Sequence, residues 1–187
     1  CELLDSTLSL TLKADRHWYK AITKLDEQLK NRATRGVEEA FMKDVYCVYH
    51  GTSPKAQGEV YDQFVQRYET LLDSNITPDA KNRLTNQLRG FVECWEELAN
   101  SFAFLSITDT ESRTQNGSKL CNKQAVQCIT WIHQMDLAKI TRPVLMAAIT
   151  RWSKPHFQKI AATCEKYTFR VHAVRYSGRR KDGNEKG

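Results

Sequence analysis

Three carboxylates, Glu93, Glu96 and Glu97, lie within one helical turn of one another, and carboxylates spaced this way are the raw material of a di-metal site in a helix bundle. That chemistry also needs a histidine three residues after a ligating glutamate. Glu93 is followed at that distance by Glu96, and Glu96 by Ala99, so a solvated helix face is the better reading. The five histidines, His17, His50, His133, His156 and His172, show no ligand spacing. His50, at the end of a helical stretch, reads as a cation favoured by the negative C-terminal dipole. There is no Gly-rich phosphate loop, no nucleophile elbow and no HExxH. No catalytic residue, no metal and no other cofactor is expected in this segment.

Cys1, Cys47, Cys94, Cys121, Cys128 and Cys164 could form three disulfides in a secreted chain. No CxxC pair occurs, which removes zinc and thioredoxin-like chemistry. Cys47, Cys94, Cys128 and Cys164 fall on apolar faces of expected helices, where free cysteine packs as a small hydrophobe, and a chain of 187 residues needs no staple. A reducing, cytoplasmic setting is therefore expected. Asn116-Gly117-Ser118 matches a glycosylation acceptor, but a three-residue pattern arises by chance. No signal peptide opens the chain, and no apolar run approaches the roughly 18 residues that cross a bilayer, so no membrane partner is expected.

Charge singles out the C-terminus. From Arg170 onward there are six basic residues and two acids, a net of +4, against 22 basic and 20 acidic over the first 169 residues. Arg170, Arg175, Arg179, Arg180 and Lys181 are the candidate nucleic-acid-binding residues, able to meet phosphates by counterion release. The competing reading is a solvated linker.

Helical periodicity must position all of these. Trp18, Ile22, Leu25 and Leu29 stack on one face over 16–30. A second helix follows Gly36, with Val37, Phe41, Val45 and Val48 inward and Gly51 as its stop. Ser53-Pro54 opens a third, whose apolar set is Val60, Phe64, Val65, Tyr68, Leu71 and Leu72. Thr77-Pro78-Asp79 starts a long helix with Leu84, Leu88, Phe91, Trp95, Leu98 and Phe102 as its seam. After a polar loop over 108–118, a helix over 119–135 turns Ala125, Cys128, Ile129 and Ile132 inward. Another begins at Thr141 with Leu145, Ala148, Ile149 and Trp152 inward, and the last follows Ser153 with Phe157, Ile160, Ala161, Cys164 and Thr168. The alternation Leu8, Leu10, Leu12 is the one strand-like signal and reads as the end of a neighbouring element. The expected fold is all-α, a bundle of about six to seven helices in two lobes. Its parts are a linker or tail of a preceding domain over 1–15, an N-terminal lobe over 16–107, the loop over 108–118, a C-terminal lobe over 119–175 and a basic linker over 176–187.

The order of these features resembles one known family. Phe41-Met42-Lys43-Asp44-Val45 through Tyr49-His50-Gly51, then Val60-Tyr61-Asp62-Gln63-Phe64, resembles the "FLRDYL…KYG…LYEAFK" progression in the helical middle region of GmrSD-type restriction endonucleases. Arg142-Pro143-Val144-Leu145-Met146-Ala147-Ala148 looks like its "YPLLLAL" helix, Phe157 through Phe169-Arg170 like its "F…LE.FLVRR" helix, and Ser177-Gly178-Arg179-Arg180 with Asn184 like its "GRRTN" segment. The resemblance covers about 16–184. It implies a non-catalytic middle domain of a phage-defence protein that cleaves modified DNA. Such a domain lies between a nucleotide-binding ParB/sulfiredoxin-like domain with a DGQQR-type motif and an HNH-like nuclease domain. Neither motif is present here, and no catalytic residue is carried over.

The partners so implied are the neighbouring domains of the parent chain and, through the tail, DNA. A second reading is a free-standing helical adaptor that binds a protein or nucleic acid through an exposed apolar or basic groove. A third takes Cys1 as the lipidated residue of a lipoprotein, but Glu2-Leu3-Leu4-Asp5 is not the flexible tether that requires.

Whatever DNA affinity the chain has is expected to reside in the tail and to be weak, independent of sequence and steeply reduced by salt. Fluorescence anisotropy with a short duplex compares the whole chain with one ending at Val174. Equal binding by both, or by neither at low salt, removes the tail as a DNA contact.

Overall fold

A computed structural model of the chain describes residues 2–29, 36–52, 59–73, 75–107 and 121–181, with side chains from 12 onward in the first helix and up to 174 in the last. Among them are eight α-helices and no strand. The chain packs as two units, Cys1–Ala103 and Phe104–Gly187, each described by itself. No helix among the described residues is long and apolar enough to cross a membrane.

The first unit holds α1 (Glu2–Leu29), α2 (Val37–His50), α3 (Glu59–Tyr68) with a 3-10 turn over Glu69–Leu72, α4 (Pro78–Glu93) and most of α5 (Trp95–Ser106). Helix α1 begins at Glu2, well before residue 16, so the Leu8, Leu10, Leu12 alternation is helical. Leu8 and Leu12 are also one turn apart, and a lone strand would leave its backbone unpaired. Gly36 and Gly51 bracket α2 with left-handed backbone, φ 91° and 70°, a conformation that a Cβ disfavours. Phe41 and Val45 are buried as expected, together with Asp44 and Tyr46. In the third segment Tyr68 is buried, but Val65 is exposed and Leu72 is 90% exposed. The change from α to 3-10 winding at Glu69 alters the residue period and carries Leu72 off the inner face. Ser53-Pro54 lies outside the described residues.

Thr77 caps α4 as expected, its hydroxyl accepting from the Ala80 N–H at 3.4 Å with Pro78 at the first helical position. The expected single long helix is two, parted at Cys94. Its amide bonds back to the Gly90 carbonyl and its thiol donates to the Phe91 carbonyl at 2.9 Å. This thiol contact competes locally for an acceptor of the helical ladder. The seam nevertheless runs through: Phe91, Leu98 and Phe102 are buried.

The second unit holds α6 (Lys123–Gln134), α7 (Ala138–Arg151) and α8 (Lys154–Lys181). Asn122 caps α6 by accepting from the Ala125 N–H at 3.0 Å. Ala125, Ile129, Ile132, Leu145, Ala148, Phe157, Ala161 and Thr168 are buried as the periodicity indicates. Helix α7 starts at Ala138, three residues before Thr141, so Pro143 lies inside it and cannot donate to the Lys139 carbonyl. It ends at Arg151, and Trp152 follows in extended backbone, 54% exposed rather than inward. His133 Nε2 lies 2.7 Å from the Leu105 carbonyl and Arg142 donates to Ser106 Oγ at 3.4 Å, so both tie down the C-terminal end of α5. Helix α8 continues through the stretch read as a basic linker as far as Lys181, and the polar loop over 108–118 lies outside the described residues.

Tyr49 of α2 lies against Gly90 of α4. The Tyr49 hydroxyl donates to the Gln87 carbonyl at 2.9 Å, and a Cβ on Gly90 would meet that hydroxyl. Alanine gains about 1 kcal/mol of helix propensity over glycine, whereas overpacking costs about 1–3 kcal/mol, so Gly90→Ala is expected to destabilise. In a Tyr49→Phe background the nearest ring carbon is 3.4 Å from the new Cβ, and the penalty is expected to shrink by about 1 kcal/mol. Urea midpoints of the four proteins decide it. An equal effect of Gly90→Ala in both backgrounds refutes the contact.

Candidate functional site

Ten residues of the first unit line an open cavity of about 520 Å³, within the size range of ligand pockets. Its floor is aromatic. Phe91 from α4 is fully buried and Tyr46 from α2 nearly so. Trp18 from α1 meets Trp95 from α5 edge-on at 5.6 Å, and Trp95 meets Phe91 edge-on at 5.7 Å. Phe64 from α3 lies 6.0 Å from Phe91. These separations are those of favourable ring pairs. Met42, Val60, Tyr61, Glu38 and Glu39 complete the lining. Tyr61 is 73% exposed, and both glutamates are exposed.

The two carboxylates stand in the first turn of α2, whose cap Gly36 offers no side-chain acceptor. They therefore favour the positive helix end. Neither is in an ion pair among the described residues. The indole N–H of Trp95, one of the lining residues, is buried without a hydrogen-bond partner among the described residues.

Sequence reasoning placed Trp18, Val60, Phe64, Phe91 and Trp95 in the core but did not find the pocket. The available signal was Tyr61, an aromatic residue one position off its helix's apolar stripe, beside acids at the start of α2. The Glu93, Glu96, Glu97 cluster does not converge. Glu93 and Glu97 are exposed, while Glu96 turns to α1. Its Oε1 lies 2.8 Å from His17 Nδ1 and 3.2 Å from Lys20 Nζ. Burial pushes the Glu96 carboxyl up, but the hydrogen bonds from Lys20 and His17 outweigh it and hold it below the ordinary range. Lys24 reaches the Glu96 carbonyl at 3.3 Å and Gln28 reaches Asn100 at 2.7 Å. His17, Lys20, Lys24 and Gln28 thus form a polar stripe joining α1 to α5. Among the described residues no three His, Cys, Asp or Glu side chains are grouped to hold a metal ion.

Among the described residues, Cys47, Cys94, Cys121, Cys128 and Cys164 form no disulfide with one another. Burial, then the Glu165 carboxylate, pushes Cys128 up to about 12, and burial raises Cys164. Neither is an activated nucleophile. Of the five basic residues of the tail, Arg170 is exposed, and positions 175, 179, 180 and 181 lie on the last turns of α8. The i, i+4 spacing puts positions 175 and 179 one turn apart, while 180 and 181 are rotated further round the axis. The helix does not gather all five into one stripe.

His50 corrects the expectation of a dipole-stabilised cation. It packs among Tyr46 at 4.5 Å, Tyr49 at 4.9 Å, Phe91 at 5.2 Å and Tyr68 at 6.0 Å. Burial, then the Arg67 charge, lowers its pKa to about 4 from 6.5. Between those values the unfolded chain takes up a proton that the folded chain does not, so this stability is full above pH 6.5 and is lost as pH falls toward 4. Glu96 acts only below its ordinary 4.5. Urea unfolding from pH 7.5 to 5 is expected to show falling stability in the wild type and a shallower fall in His50→Gln. Parallel slopes would refute a neutral His50.

No protein-family model, curated protein or solved structure matches the chain.

Proposed function

We propose that this chain is a non-catalytic helical module that binds a partner through the aromatic pocket of its first unit. One observation carries the reading: a cavity of about 520 Å³ whose floor is rings fixed against one another and whose rim, Tyr61, Glu38 and Glu39, is exposed. An apolar recess of this size with a few polar groups at its mouth is the usual form of a binding site. The titratable groups elsewhere support binding over chemistry, because Glu96 is held in ion pairs and Cys128 and Cys164 are pushed away from the thiolate.

The motif order over 16–184 supports a second reading of the setting. In it the module is the middle helical region of a GmrSD-type restriction endonuclease, with DNA contact, if any, through Arg170, Arg175, Arg179, Arg180 and Lys181. A DGQQR-type motif upstream and an HNH motif downstream in the full reading frame are what that setting requires.

The pocket is tested with the neutral fluorescent dye N-phenyl-1-naphthylamine. One dye is expected to bind per chain, and Met42→Trp, which fills the cavity from α2, is expected to weaken it at least tenfold while circular dichroism stays unchanged. Tyr61→Ala at the exposed rim should weaken binding without touching the core. No dye binding, or binding indifferent to both substitutions, overturns the pocket as a binding seat.

A further inference from the structure

We infer that the occupant of this pocket is a basic peptide, with the alkyl stem of an arginine against the ring wall and its guanidinium at Glu38 and Glu39; this rests on the binding role proposed above. The pocket combines the two features that recognise an organic cation. Apolar ring surface can cover the alkyl stem of such a cation, and Trp18, Phe64 and Trp95 line the cavity from three different helices. Carboxylates receive a guanidinium through charge-assisted hydrogen bonds, and Glu38 and Glu39 stand at the mouth, exposed and outside any ion pair among the described residues.

The alternatives fare worse on the same geometry. A purely apolar partner closing over the rim would take two carboxylates out of water with no compensating charge, which is costly. An anionic ligand would face like charge at the entrance. An arginine meets both parts at once, because its stem can cover apolar surface while its head keeps polar company. The cavity has the volume of a drug-sized ligand rather than of a single ammonium ion, which favours a peptide carrying the cation over the free ion. Glu38 and Glu39 also favour the positive end of α2, so their position alone decides nothing; their place on an aromatic cavity does.

The test uses the full chain with Trp131→Phe and Trp152→Phe, both exposed positions of the second unit, leaving Trp18 and Trp95 as reporters. A capped alanine hexapeptide carrying two adjacent arginines is titrated at low salt beside the same peptide carrying citrulline, the neutral isostere. The arginine peptide is expected to bind at least about threefold tighter, and that advantage is expected to vanish in Glu38→Gln/Glu39→Gln, whose substitutions lie on the surface. If the naphthylamine dye binds but the two peptides bind equally, or neither binds, the cation inference is overturned and the pocket stands. A glutamine variant that keeps the preference for arginine overturns it as well. If the dye itself does not bind, the pocket fails as a seat and the inference goes with it.

Discussion

Phe91 is the ring on which the first unit is assembled. It is fully buried and meets Tyr46, Tyr49, His50, Phe64 and Trp95 at 5.2 to 6.2 Å, so one side chain of α4 touches α2, α3 and α5. Each such ring pair adds about 0.5–1.5 kcal/mol beyond area burial, and emptying a buried phenylalanine site costs about 3–5 kcal/mol. Set against a net stability of about 5–15 kcal/mol for a typical domain, that makes Phe91 a determinant of whether the helices keep their places. The pocket follows from it, because the rings that line it also pack on one another.

The same crowding explains why His50 is neutral. A histidine at a helix end in water would be favoured as a cation by the dipole by about 0.3–1 kcal/mol. Burial among four rings, then the Arg67 charge, opposes the cation and lowers the pKa to about 4. Helix α1 is joined in two ways. Trp18 meets Trp95 and Phe41, and Ala21, Leu25 and Leu29 are buried, while alongside this apolar face His17 and Lys20 pair with Glu96 and Gln28 with Asn100. Apolar packing thus holds α1 as well, with a stripe of paired polar groups along its margin.

The helices were legible because their signals are local. Thr77-Pro78-Asp79 and Gly51 act within one turn of chain, and the inward positions of α2, α6 and α8 follow from a period of 3.6. What the sequence hid depends on tertiary neighbours. The break at Cys94 turns on one thiol finding the Phe91 carbonyl, and the exposure of Trp152 on where α7 stops. Glu96 looked like part of a carboxylate cluster because residues three apart share a face; its actual partners lie 79 and 76 positions away in sequence. The aromatic positions were visible as core, but the pocket was not, because a cavity is a property of five helices together.

That origin also bears on what the pocket can do. Its wall is built from side chains whose first task is holding helices together, so the chain can change the wall little without losing stability. The rim is under no such constraint: Tyr61, Glu38 and Glu39 are exposed, and exposed positions usually shift stability by within about 0.5 kcal/mol when changed. Affinity for apolar surface is therefore set by the fold, while selectivity is set by three residues free to vary. In a chain of net charge +6, an acidic mouth on an aromatic recess reverses the prevailing sign locally. On the reading proposed above, a basic partner meets carboxylates there rather than the six basic residues gathered from Arg170 onward.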